Sequence, residues 1–114
     1  MTRSDSQAGA RILAVRRAAD IEAKDNASRW LVEHLWAEQG VGVVGGAPKA
    51  CKTWLALDIA VSVASGTPAL GRFRVARAGR VLLYGAEDAP EQLRARIEMI
   101  AVSRHMAIEH LDVQ

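Results

Sequence analysis

The chain has 114 residues, half of them hydrophobic and a quarter charged, which is the composition of one small globular domain. Its net charge of +2 is too small to argue for nucleic acid or a membrane surface by itself. A single cysteine excludes an internal disulfide and suits a reducing compartment.

Residues 1–10 (MTRSDSQAGA) read as disordered. Arg3, Arg11, Arg16 and Arg17 alternate there and just beyond with Asp5, Asp20, Glu22 and Asp25 without an apolar run, so no signal peptide is read. Residues 11–25 form a weak helical pattern through Ile12, Val15, Ala19 and Ile21. Asn26 and Ser28 suit helix caps for RWLVEHLWAEQ, expected to be a helix that Gly40 ends. The first 28 residues are taken as an extension and residues 29–114 as the domain.

VGVVG, residues 41–45, reads as a buried strand. After the loop GAPKACKT, an apolar helix is expected from about Lys52 to Ala64, closed by SGTP. The run WLALDIAVSVA is interrupted by Asp58 and is much shorter than the ~20 residues that cross a bilayer. A cytoplasmic protein with no membrane partner is expected. LGRFRVARAG, residues 70–79, is a loop or short hairpin, and RVLLYG, residues 80–85, a second buried strand. AEDAP turns into a helix from about Pro90 to Val102, where Pro90 suits the first turn. HLDVQ has the start of a third strand. The alternation βαβα implies an α/β fold with a parallel sheet flanked by helices.

A phosphate loop follows G-x-x-x-x-G-K-[ST] between a strand and a helix. Gly46, Ala47, Pro48, Lys49, Ala50, Cys51, Lys52 and Thr53 fill those eight places, with Cys51 standing where the second glycine belongs. Main-chain N–H groups at a helix N-terminus attract phosphate oxygens. Lys52 would reach the β- and γ-phosphates and Thr53 would hold Mg²⁺. If the position of Cys51 needs a positive φ, its side chain costs roughly 1–2 kcal/mol. Its sulfur also takes space beside the phosphates, and a thiol at a helix N-terminus beside Lys52 tends toward a lowered pKa. The competing reading is a glycine-rich turn that opens a core helix and binds nothing.

From WLVEHLWAEQ to RARIEMIA, residues 30–101, the sequence resembles the N-terminal half of AAA-type ATPases of the RecA-like superfamily, in particular the RepA-like group that includes hexameric plasmid replicative helicases. The PK in the loop, the LALD of the helix, the SG that closes it and the strand ending in AED carry the likeness. The resemblance covers about residues 29–114 and implies a partial RecA-like P-loop domain with ATP and Mg²⁺ as cofactors. It implies that Glu87 activates the attacking water, which suits a carboxylate at the carboxyl end of a parallel strand. The alternative for Glu87 is an acid that favours a helix dipole, and Asp88 reads as such a cap. The resemblance places the second Mg²⁺-binding aspartate, an arginine finger and DNA-contacting loops beyond residue 114, so this stretch is expected to turn over little alone. It also implies DNA contact through an oligomer. A non-catalytic module that pairs with a full-length paralogue, or a gene-fragment remnant, are the alternatives.

Arg72, Arg74, Arg77 and Arg80 alternate and read as a solvated face or as a contact for DNA or a neighbouring subunit. Trp30, Trp36 and Trp54 are candidates for base stacking, with core the favoured reading for Trp54 because it starts an apolar helix. His34, His105 and His110 have no metal-ligand spacing with Cys51.

Overall fold

The computed structural model describes residues 13–23 and 29–114. The disorder expected for residues 1–10 and the caps expected at Asn26 and Ser28 lie outside the described residues. Of the helix expected over 11–25, the described part holds one 3₁₀ turn, Ala18–Asp20, between extended residues.

Residues 29–39 are a β-hairpin and not the helix that Leu31 and Leu35 suggest. Strand β1 (Trp30–Val32) pairs antiparallel with β2 (Trp36–Ala37), with Trp30 opposite Ala37 and Val32 opposite Trp36. The turn between them holds His34 at φ 64°, left-handed backbone that no α-helix contains. A non-local ladder decides the matter. The amide of Glu33 donates to the Arg74 carbonyl at 2.8 Å and that of Ala76 to the Leu31 carbonyl at 2.9 Å, so residues 74–76 flank β1 on its other edge. The (i, i+4) spacing of Leu31 and Leu35 still places both on one apolar cluster, because the turn folds Leu35 back.

Helix α1 (Lys52–Ser65) is the centre of the molecule. Val63 packs with Val32, Ala69 and Val75 in one cluster, while Leu57 and Val61 pack with Ile97 in another. Leu57 and Val61 are fully buried, each worth about 1.5–3 kcal/mol of transfer free energy. Gly66 ends the helix at φ 77° with its amide on the Ser62 carbonyl, the left-handed C-terminal stop that glycine adopts without strain. A tight turn then brings Ala69 against Phe73, so residues 70–79 contain the short hairpin rather than an open loop.

Helix α2 (Pro90–Ser103) opens on Pro90, whose fixed φ and missing N–H suit a first turn. It lies alongside α1 and runs parallel to it: Arg96 meets Trp54, and Arg104, just past its end, meets Asp58. Arg104 donates to Asp58 Oδ1 at 2.5 Å, to Ser62 Oγ at 2.7 Å and to Thr67 Oγ1 at 2.8 Å, and Asp58 Oδ2 accepts the Leu70 amide. Asp58 thus interrupts the apolar run in order to carry this largely buried network.

The only ladder of more than one pair among the described residues is antiparallel, where a parallel sheet is expected. The parallel component is the pairing of Val81 with Val113, extended by Leu83 donating to the Gln114 carbonyl at 2.7 Å. The third strand expected at HLDVQ is present in that form, after a 3₁₀ turn at Ile108–His110. Residues 80–85 are buried on one side only: Val81 and Leu83 are half-buried, Leu82 and Tyr84 exposed. Gly85 follows, and a Cβ there would stand 2.5 Å from Leu93 Cδ1, so the end of the Leu93 side chain occupies the space above it. Residues 41–45 are not a buried strand. Val41 and Val43 are 100% and 93% exposed, and no ladder pair reaches them among the described residues. A strand is stabilised by its neighbours, and this segment has none.

Candidate functional site

The N-termini of the two parallel helices fall at one end of the molecule, and the chain segments that lead into them are GGAPKAC and YGAEDA. A cleft of about 670 Å³ opens there, lined by Pro48 to Thr53, Trp54, Glu87 and Arg96. Thr53 and Glu87 also line the adjoining crevice against Leu57, Leu83 and Gly85. The loop and the strand end, about 35 residues apart in sequence, are therefore brought together.

Each loop residue has a local reason for its place. Ala50 donates its amide to the Ala47 carbonyl at 3.2 Å, closing a turn through Pro48 and Lys49. Lys49 and Cys51 both sit in left-handed backbone, at φ 64° and 63°. The condition attached to Cys51 is met: the position takes a positive φ, and a residue with a side chain occupies it. Lys49 carries the same strain, which nothing in the motif announces, since its place there accepts any residue. Cys51 is the N-cap of α1 but makes no side-chain cap bond. The amides of Lys52 and Thr53 begin the helix and have no acceptor within it.

Lys52 folds back over the loop, its Nζ donating to the Gly46 carbonyl at 2.5 Å. A Cβ at Gly46 would meet Ala50 Cβ at 3.4 Å and Lys52 Cδ at 3.6 Å, ordinary contact distances, so the side chain of Lys52 packs directly over this residue. Gly45, before it, has open space around its α-carbon. The ammonium thus ties the start of α1 back to the first residue of the loop. Lys49, Lys52 and Arg96 face one uncommitted carboxylate, Glu87, in the same cleft, a balance that suits a polyanion.

Two residues read otherwise in the sequence belong to this site. Trp54 is 36% exposed and lines the cleft instead of sitting in the core. Asp88 is not a helix cap: Ala89 holds that position, and Asp88 pairs with Arg96 at 3.5 Å. Arg96 was not legible, because its neighbours Trp54 and Asp88 are reached only through the packing of α2 on α1. The one local hint is that it lies on the helix that follows Glu87.

The remaining candidates lie elsewhere. Of the four alternating arginines, Arg77 pairs with Glu38 and Arg80 with Asp112 at 2.8 Å. Arg72 stacks on Phe73, and Arg74 is exposed. The Arg80 hydrogen bond holds the Asp112 carboxyl below the usual carboxylate range, and Asp112 in turn raises the Arg80 guanidinium. Trp30 tilts against His34, and Trp36 covers Gly42; neither faces the cleft. A second groove, on the other flank of α2, has an apolar floor of Leu83, Leu93, Ile97 and Val113 and a rim on which Arg94 is balanced by Glu91 and Glu109.

Among the described residues, no group of three or more His, Cys, Asp or Glu is placed to hold a metal ion. No helix among them is long and apolar enough to cross a membrane.

The model of the family described as AAA domain matches residues 8–113. No curated protein matches the chain, and no solved structure does. With the family model spanning nearly the whole sequence and the loop seated at the start of α1, the chain belongs to the AAA domain family, whose members are P-loop, nucleotide-binding ATPases.

Proposed function

We propose that this chain binds a Mg²⁺–nucleoside triphosphate, ATP in the family's usage, in the cleft between the loop 46–53 and Glu87. The observation that carries the reading is the convergence of Lys52, Thr53 and Glu87 at the N-termini of two parallel helices. The residues fit the group. Amides of Lys52 and Thr53 are free to take phosphate oxygens, with Gly46, Ala47, Pro48, Lys49, Ala50 and Cys51 shaping the turn beneath them. Lys52 would exchange the Gly46 carbonyl for the β- and γ-phosphates, a gain because an ammonium bonds a charged phosphate more strongly than a neutral carbonyl. Thr53 would offer its hydroxyl to Mg²⁺, and the ion would supply charge neutralisation. Glu87 would orient a water at the phosphate end of the site and accept its proton.

The finer reading is a RecA-like domain, residues 29–114, after a 28-residue extension, working in the cytoplasm with DNA through a homo-oligomer of the RepA-like helicase kind. The Val81–Val113 parallel pairing supports the sheet type, and exposed Arg74 and Arg72 support a contact with acid. Turnover by the 114-residue chain alone is expected to be slight, since Glu87 is the one uncommitted carboxylate in the cleft and Asp88 is held by Arg96.

A second reading has its own observation. Val41, Val43, Leu82 and Tyr84 are each more than four-fifths exposed, and residues 41–45 have no ladder partner among the described residues. Such segments favour a non-catalytic module that pairs with a full-length paralogue. Titration with a fluorescent ATP analogue, with and without Mg²⁺, separates the two. Micromolar, Mg²⁺-dependent binding by the native chain supports the nucleotide site. Absence of binding by folded native chain and folded Cys51→Gly refutes it.

A further inference from the structure

Arg96 sits where the two halves of the cleft meet. Its guanidinium carbon lies 5.5 Å from the centroid of the Trp54 ring, and its Nη1 lies 3.5 Å from Asp88 Oδ2. Trp54 is the residue after Thr53, and Asp88 is the residue after Glu87. One side chain thus touches the immediate neighbours of both groups assigned to the metal and the water. The contacts are of a kind that holds position. A cation over an indole face is attracted to the ring quadrupole, and the carboxylate fixes the guanidinium from the other side. The Arg96 and Asp88 side chains are 30% and 32% exposed, so the pair is partly shielded from water. The far end of α2 cannot drift, because Arg104 is anchored to Asp58, Ser62 and Thr67. The charged groups around Arg96 are Asp88 and Glu87 from the turn and Lys49 and Lys52 from the loop.

We infer that Arg96 is a positioning residue that braces the Glu87 turn against the first turn of α1, setting the spacing between Thr53 and Glu87. The inference rests on the nucleotide reading of the cleft, but the brace itself exists without ligand. Asp88 is the partner that keeps Arg96 on Trp54, and the loss of either member releases the turn. Each contact is of the partly exposed kind, so its loss weakens Mg²⁺–nucleotide binding by about two- to fivefold. Because the two act as one unit, removing both is no worse than removing one.

The test uses the full chain labelled with 5-fluorotryptophan, the Trp54 resonance being assigned with Trp54→Phe. Native chain, Asp88→Asn, Arg96→Gln and the double variant are compared by ¹⁹F NMR without ligand and by titration with a fluorescent Mg²⁺–ATP analogue. The brace predicts that both single variants shift the Trp54 resonance alike, weaken binding by similar factors, and combine without further loss. An unshifted Trp54 resonance in Asp88→Asn overturns the brace. So does weak binding in Arg96→Gln beside native binding in Asp88→Asn, which means that Arg96 touches the ligand itself. A native chain that binds no nucleotide while its Trp54 resonance still responds to Asp88→Asn supports the brace and overturns the reading of the cleft.

Discussion

Replacing Cys51 by glycine separates two effects that the sequence merges. Cys51 stands at φ 63°, where a side chain costs about 1–2 kcal/mol. Glycine removes that cost but loses about 0.4–1 kcal/mol through its freer unfolded chain. Between the midpoints of those ranges the net gain is about 0.8 kcal/mol, or roughly 3–6 °C in Tm for a domain of this size. Cys51→Ala keeps the Cβ and its strain, so it gains no such stability. Affinity behaves differently. The strain is present with and without ligand and cancels, so any tightening reports the sulfur that lines the cleft. Both variants therefore tighten Mg²⁺–ATP binding by a similar factor, at most about tenfold, while only Cys51→Gly melts higher. Thermal melts and titrations of the three proteins check this. A Cys51→Gly Tm equal to that of Cys51→Ala refutes the strain argument, and tightening in Cys51→Gly alone refutes the account of the sulfur.

Three further outcomes follow from the packing. Arg104→Ala removes the only cation on Asp58 among the described residues and the partner of buried Ser62, while Asp58 keeps the Leu70 amide and Thr67 keeps Ser65; chemical denaturation is expected to show a loss of about 1–3 kcal/mol. Gly85→Ala brings a methyl to 2.5 Å from Leu93 Cδ1, which the half-buried Leu93 relieves by turning its side chain, so chemical denaturation is expected to show a loss of only about 0.5–1.5 kcal/mol. The Asp112 carboxyl, depressed by Arg80, adds stability above its unfolded pKa of about 4 and loses it as pH falls through the lower folded value. The native chain and Asp112→Asn should therefore differ in Tm at neutral pH and converge on acidification, and a constant difference down to low pH contradicts this.

The parts legible in the sequence are those fixed by local chemistry. α1 begins and ends where the loop and Gly66 dictate, and α2 begins where Pro90 does, while the pairing of Lys52 and Thr53 with Glu87 is what the resemblance implied. What was illegible depends on distant partners. Residues 29–39 carry a spacing that serves helix and hairpin alike, and only the bonds to Arg74 and from Ala76 choose the hairpin. VGVVG has the composition of a buried strand, yet composition says nothing of whether a neighbour is present to pair with it. Trp54 looked like core because its helix is apolar; it is drawn to the surface by Arg96, which enters from another helix. Asp88 looked like a cap for the same reason, its partner lying eight residues on and around the helix.

The central claim is that loop 46–53 is a working phosphate site despite Cys51. Isothermal titration of the native chain and of Lys52→Ala with Mg²⁺–ATP tests it most directly. The account predicts saturable micromolar binding by the native chain that Lys52→Ala abolishes with its fold intact. Equal heats from the two proteins, or none from a folded native chain, would contradict it.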